Sequence, residues 1–385
     1  MDPLKPSGAL TERYAASLRG LDRKDRLRTL IPQAGRDFAS NDYLGLAASG
    51  RLADAVRRAL DAGTAVGAGG SRLLRGNAVE HERLEAAAAA FFHAERTLYF
   101  GGGYVANFAA FTTLPQKGDL VVMDELVHAS AHEGARAGRA LAVTARHNDV
   151  AAFAHEIRRF RAEGGTGRVW LAVESLYSMD GDTAPLADLM ALADETDAFL
   201  FIDEAHATGV CGPDGRGLAA PFEGRENVLV LHTCGKALGG SGALLAGAKV
   251  LCDFMVNRAR PFIFATAPSP LMAVAAEEAL RLLSTEPERR RCLQALVAHA
   301  GRELARIGVA ASGSQIQPVI VGDNGRAMTL AAGLQARGFD VRGVRPPTVP
   351  EGTARLRISL TLNVDEAAVT ALVDALAEDL GSRAA

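Results

Sequence analysis

Seven short runs of the chain are apolar at almost every position: "RTLYF" from Arg96, "LVVMDE" from Leu120, "ALAVTARH" from Ala140, "RVWLAVES" from Arg168, "AFLFIDEA" from Ala198, "VLVLHTC" from Val228 and "ALLAGAK" from Ala243. A strand with one face in water alternates apolar and polar residues. Runs without alternation therefore predict a sheet buried on both faces, and hence a mostly parallel one. Between the runs, stretches such as "DVAAFAHEIRRFRAE" and "PLADLMALADE" carry apolar residues at three- and four-residue spacing and predict helices. Together they predict an α/β fold whose large domain holds a mostly parallel seven-stranded sheet flanked by helices.

The ends of the chain read differently. After Pro268 a helical region interrupted at "STEPERR" leads into "QIQPVIVG", a helix, "RLRISLT" and a last helix, which predict a small α+β C-terminal domain. The first 35 or so residues are polar and helix-like, with Arg19, Arg23, Arg26 and Arg28 crowded together. That segment is either a solvated helix face or an arm bringing a cation to an anionic ligand. "FASNDYLGL", Phe38 to Leu46, has the Asn-Asp turn signal of a boundary. The expected division is an N-terminal arm over 1–44, a large cofactor-binding domain over 45–284 and the small domain over 285–385.

Composition excludes several classes. Lys and Arg number 42 against 45 Asp and Glu, a net charge of −3 with no long block of one sign, so neither a nucleic-acid surface nor an acidic membrane is an expected partner. The four cysteines, Cys211, Cys234, Cys252 and Cys292, have no paired spacing and read as reduced thiols of a cytoplasmic protein. The N-terminus has no apolar signal core, and no run is long and apolar enough to span a membrane.

Candidate chemistry gathers after the predicted strands, where ligands of open α/β sheets lie. "GGGYVAN" sets glycines before a helix, a turn that serves either as a phosphate cradle or as a simple steric link. His128 follows "LVVMDE" and can stack on a flat ligand. Glu174 and Ser178 end "RVWLAVES" and its loop, where they can bond a cofactor oxygen or fix the loop. Asp203 ends "FLFID", with His206 three residues on. Lys236 follows a buried strand and is flanked by Gly235, Gly239 and Gly240, which would leave room for a ligand; Thr233 lies near it and can donate to a phosphate. An acid that keeps a heterocycle nitrogen protonated and a lysine able to bind an aldehyde are what pyridoxal phosphate requires of a protein.

Rival readings of the same stretches fail. "DEAH" also marks a class of helicases, but these need a phosphate loop ending in Gly-Lys-Ser/Thr, and Lys236 is followed by alanine. The five glycines between Gly63 and Gly76 follow no strand, against a dinucleotide fingerprint; a loop passing close to a ligand or partner chain fits better. His132 and Glu133 lack a third ligand, so no metal is expected. Arg355 and Arg357 alternate on a predicted strand and share a face, suited either to solvent or to bidentate capture of a carboxylate.

Taken together, "FASNDYLGL", "GAGGSRLLRG", the "HAS" at His128, "SMDGDTAPL", "DEAHATGVCGPDGRG", "HTCGKALGGSGA" and "PPTVPEGTARLRISL" resemble the α-oxoamine synthases, pyridoxal-phosphate enzymes of the aspartate-aminotransferase fold. The resemblance runs from about Phe38 to the C-terminus. It implies a decarboxylative condensation, in the biotin-synthesis branch of L-alanine with pimeloyl-CoA or a pimeloyl carrier protein. The alternatives are a glycine-using branch, of the 2-amino-3-ketobutyrate ligase or 5-aminolevulinate synthase type, and a scaffold that binds the cofactor without catalysis. It further implies that Lys236 carries the cofactor and moves protons, that Asp203 pairs with its ring nitrogen, and that His128 stacks on the ring. His206 and Ser178 would lie at the ring hydroxyl, and Gly103, Tyr104 and Thr233 at the phosphate. Thr266 would reach the phosphate of a partner subunit in a homodimer with shared sites. Asn41, Glu174, Thr348 and Arg357 would address the substrates, with Arg23 or Arg26 meeting the acyl carboxylate. The chain departs from the family where "HASAHEGARAG" lacks an Arg-Leu-Ser ending and "DEAHATG" has alanine for serine, positions that bear on acyl specificity.

Overall fold

The computed structural model describes residues 8–381. They fold as two compact units. One comprises Asn41–Ser178 and Asp182–Leu293; the other comprises the described residues through Ser40, Met179–Gly181 and those from Gln294 on.

The larger unit is built on seven strands: β1 (Arg96–Phe100), β2 (Leu120–Asp124), β3 (Leu141–Ala145), β4 (Val169–Glu174), β5 (Phe199–Asp203), β6 (Val228–Thr233) and β7 (Ala243–Gly247), in the order β1-β7-β6-β5-β4-β2-β3. Pairings among β3, β2, β4, β5 and β6 are parallel, and β7 runs antiparallel to both of its neighbours. This is the seven-stranded, mostly parallel sheet that the unalternated runs predict. Alternate strand residues enter two separate cores. Val121, Met123, Trp170, Phe201 and Leu229 pack on the side of the helix Gly103–Thr113. Val122, Leu171, Val173, Leu200 and Ile202 pack with Phe153, Ile157 and Met190 from the helices Val150–Ala162 and Leu186–Glu195. With both faces covered, the strand interiors are almost wholly apolar, with Thr97, Thr144 and His232 the polar exceptions.

Helix Gly103–Thr113 presents Ala106, Ala109 and Ala110 to the sheet, small residues that let it lie close. Pro115, with no N–H to continue the ladder, stands just past its end. Helix Ala129–Ala137 starts at His128, whose ring nitrogen accepts from the Ser130 N–H.

The smaller unit holds β8 (Ile316–Gly322), β9 (Arg342–Val344) and β10 (Ala354–Ser359), an antiparallel sheet with β10 in the centre. Arg36–Asp37 pairs in parallel with Phe339–Asp340, and the Ser359 N–H donates to the Phe38 carbonyl, so the chain before Ser40 belongs to this unit. Of the polar first 35 or so residues, Glu12–Asp22 form an α-helix after a short 3-10 turn. The solvent-facing alternative for Arg355 and Arg357 is overturned: both are buried, Arg355 reaching Asp180 at 2.5 Å and Arg357 donating to Ser359 Oγ at 2.7 Å.

Candidate active site

Parallel strands bring their carboxyl ends to one edge of the larger unit, and the loops leaving that edge carry most of the predicted site residues. Asp203, the last residue of β5, points to the same side as Phe201, and Asn107 of the overlying helix donates to its Oδ2 at 2.8 Å. Its Oδ1 accepts from the Ala205 N–H at 2.9 Å. Asn107 Nδ2 also donates to Ser130 Oγ at 3.0 Å, and Ser130 Oγ lies 2.7 Å from His128 Nδ1. Asn107 thus links the acid to the histidine.

His128 Nδ1 receives both the Ser130 N–H and its hydroxyl, which leaves the ring proton on Nε2. The residue is exposed, yet crowding of the ring by protein holds its pKa below the ordinary value; Asp203 opposes that shift and Lys236 reinforces it. The imidazole is therefore neutral at pH 7. Tyr104 stands edge-on to it, with ring centres 6.3 Å apart, and its hydroxyl donates to Glu133.

Lys236 sits in the turn between β6 and β7, with Nζ 2.7 Å from His206 Nε2. His206 Nδ1 in turn lies 2.6 Å from the Tyr43 hydroxyl, which donates to Asn41 Oδ1 at 3.0 Å. Gly239 does not make room for a ligand as its position suggests. Its φ is 64°, and a Cβ there would lie 2.4 Å from Ala47 N, so the glycine admits the backbone of the Asn41–Ala47 segment. Gly235 and Gly240 have no such close neighbour.

Glu174 ends β4 in register with Asp203. Its Oε2 accepts from the Ser178 N–H at 3.1 Å, so it fixes the loop, while Oε1 is buried without a hydrogen-bond partner. Burial, reinforced by Asp203, pushes its pKa up to about 8. The carboxyl is therefore mostly protonated at neutral pH.

At the head of helix Gly103–Thr113, Cβ atoms built on Gly101 and Gly102 would meet nothing within 4 Å, and one on Gly103 would lie 3.8 Å from Thr233 Oγ1. Unpaired helix N–H groups and a hydroxyl thus border open space, an arrangement suited to an anion. Thr266 is exposed and pairs with Ser71 in an isolated antiparallel bridge, fixing the glycine loop of Gly63–Gly76 at that point.

The remaining predicted residues belong to the smaller unit. Arg26 binds both oxygens of Glu351 at 2.5 Å, Thr348 accepts from Arg28 at 3.4 Å, and Arg23 closes the helix Glu12–Asp22. Among the described residues no group of three or more His, Cys, Asp or Glu is placed to hold a metal, and no helix is long and apolar enough to cross a membrane.

The family model "Aminotransferase class I and II" matches residues 35–376, nearly the whole chain. The chain belongs to this family. Within the aminotransferase family it is 43% identical to the 8-amino-7-oxononanoate synthase of Chromobacterium violaceum, over 88% of this chain and 87% of that one. It is also 43% identical to that of Anaeromyxobacter dehalogenans strain 2CP-1, over 94% of each. Among solved structures it is similar to the serine palmitoyltransferase of Sphingomonas wittichii, with TM-score 0.88 and 26% identity over 98% of this chain and 99% of that one. An 8-amino-7-oxononanoate synthase from Francisella tularensis, at 24% identity and TM-score 0.76 over 91% of this chain and 99% of that one, shares the fold.

Three residues of this aminotransferase-family site escape a reading of the sequence: Tyr43, Asn107 and Ser130. Each lies inside a motif, but each acts on another side chain, and only the folded contacts reveal the partner.

Proposed function

We propose that the chain is a pyridoxal-phosphate-dependent acyltransferase that condenses L-alanine with a pimeloyl thioester, on coenzyme A or a carrier protein, to give 8-amino-7-oxononanoate for biotin synthesis. The observation that carries the reading is Lys236 Nζ beside His206 at the sheet edge where Asn107 and the Ala205 N–H clamp the Asp203 carboxylate. The curated relatives' name supports the choice of reaction.

The residues fit the cofactor. A primary amine, an oriented buried carboxylate and an open anion cradle beside Thr233 are the groups needed to bind its aldehyde, ring nitrogen and phosphate. Bound there, pyridoxal phosphate would supply an electron sink for the carbon pair left when alanine is activated. Asp203 would keep a proton on the ring nitrogen, its clamp preventing the carboxylate from turning away. His128, neutral and pinned by Ser130, would hold a ring face. Lys236 would carry the cofactor and move the proton at alanine Cα. Over the whole reaction the alanine Cα–carboxylate bond and the thioester C–S bond break, the Cα–acyl bond forms, and carbon dioxide and the thiol leave.

The active unit in this reading is a homodimer. Val66, Leu74, Val79 and Phe264 are exposed around the glycine loop and the Thr266 bridge, an apolar surface for a second copy. The four cysteines, all free, support a cytoplasmic setting.

Thiol release measured over a panel of amino acids and acyl thioesters tests the assignment, with L-alanine and the pimeloyl thioester expected to be fastest. A preference for glycine would replace this reaction with a glycine-using one. Protein that stays colourless with pyridoxal phosphate would remove the cofactor reading altogether.

A further inference from the structure

Asn41, Tyr43, His206 and Lys236 hydrogen-bond in series. The Tyr43 hydroxyl lies 3.0 Å from Asn41 Oδ1 and 2.6 Å from His206 Nδ1, and His206 Nε2 lies 2.7 Å from Lys236 Nζ. Tyr43 is fully buried and its surroundings are fixed. Asp42 accepts from the N–H groups of Leu46 and Ala47, Arg289 donates to the Leu44 carbonyl, and Gly239 of the lysine turn packs directly on Leu46 and Ala47. The phenol is thus held by packing against the same turn that carries the lysine.

Proton counting gives the series a direction. A phenol has one proton, and the Asn41 carbonyl oxygen can only accept, so Tyr43 donates to Asn41 and accepts from His206 Nδ1–H. A neutral imidazole carries one proton, which leaves a lone pair on Nε2 facing Lys236.

We propose that Tyr43 is a positioning residue that holds His206 as the Nδ1–H tautomer, so that Nε2 takes a proton from the Lys236 ammonium and leaves a neutral amine for cofactor attachment. This deepens the reading of Lys236 as the cofactor-bearing lysine and rests on it. The step is one proton transfer: an N–H bond breaks at Nζ, one forms at Nε2, and the resulting imidazolium donates from both nitrogens, to Tyr43 and to Lys236. Glu174 and His128 also interact electrostatically with Lys236, and Asp203 with both of them. Those charges act on either tautomer of His206, so the tautomer itself is the diagnostic.

The test uses the full chain freed of cofactor. Nitrogen NMR of 15N-histidine-labelled protein, with the His206 signal assigned from a His206→Gln spectrum, reads the tautomer directly. Wild-type protein is expected to show a protonated Nδ1 and a bare Nε2, and Tyr43→Phe a shift towards the Nε2–H form. Attachment of pyridoxal phosphate, trapped by borohydride reduction and located by peptide mapping, is expected to be slower in Tyr43→Phe by roughly tenfold or more at neutral pH. The gap should close as the pH approaches the range where a lysine loses its proton to water. An Nε2–H tautomer in the wild-type protein overturns the proposal even if Tyr43→Phe fails to fold, and so do equal attachment rates at neutral pH. Wild-type protein that shows the Nδ1–H tautomer but takes up no pyridoxal phosphate overturns the cofactor reading and, with it, the attachment role.

Discussion

Glu174 and Asp203 are register partners at the carboxyl ends of adjacent parallel strands, yet their carboxyl groups are held in opposite ways. Asp203 is clamped by two donors, Asn107 and the Ala205 N–H. Glu174 accepts from the backbone at Ser178 and His128, yet burial outweighs both and pushes its pKa up to about 8. The pair thus supplies one carboxyl group held in a fixed orientation, Asp203, and one mostly neutral acid at neutral pH, Glu174.

Glu174→Gln should accordingly change the rate little at pH 7, because glutamine resembles the protonated acid, whereas Asp203→Asn should slow it by about a hundredfold or more. Rate profiles from pH 6 to pH 9 check this. Wild-type behaviour should change near pH 8 as Glu174 ionises, and the Glu174→Gln profile should lack that step.

Asn107→Ala should act through Asp203. Removing the amide frees Oδ2 and unlinks Ser130, so the affinity for pyridoxal phosphate should fall by a factor of about ten, the equivalent of about 1.4 kcal/mol. Equilibrium titration of the visible absorbance measures it; an unchanged affinity would show that the clamp does not matter to the cofactor.

His147 bridges Asp124 at 2.9 Å and Asp182 at 2.7 Å. Burial works against its charged form, but the hydrogen bonds to the two aspartates win and its pKa is raised to about 10. A raised histidine pKa means that the stabilisation is complete below the unfolded value near 6.5 and is lost as the pH climbs through about 10. His147→Gln should therefore lower stability at pH 6.5 by about 2 kcal/mol, and by less at pH 10. Urea midpoints at the two pH values give the comparison.

Gly239→Ala should be severe for its size. The left-handed backbone and the 2.4 Å approach to Ala47 N leave no space for a methyl group, and about 2–4 kcal/mol should be lost. Because the same turn carries Lys236, the melting temperature and the rate of cofactor attachment should fall together.

The sheet was readable from the chain because its signal is local. Seven runs apolar at nearly every residue can be satisfied only by strands covered on both faces, and the glycine turn before Gly103–Thr113 is punctuation that needs no partner. Arg355 and Arg357 were open to two readings, since alternation assigns them a common face without saying whether water or Asp180 lies against it.

The sequence by itself determined the order of strands and helices, the acid at the end of β5 and the lysine after β6, all consequences of residue type and spacing along one strand or turn. Only the tertiary structure decided the partners. Tyr43 and His206 are 163 residues apart, and Asn107 and Asp203 are 96 apart. Hydrogen-bond direction, tautomer and the protonation of Glu174 arise from such contacts, which no local pattern encodes because each depends on which distant group the fold buries beside it.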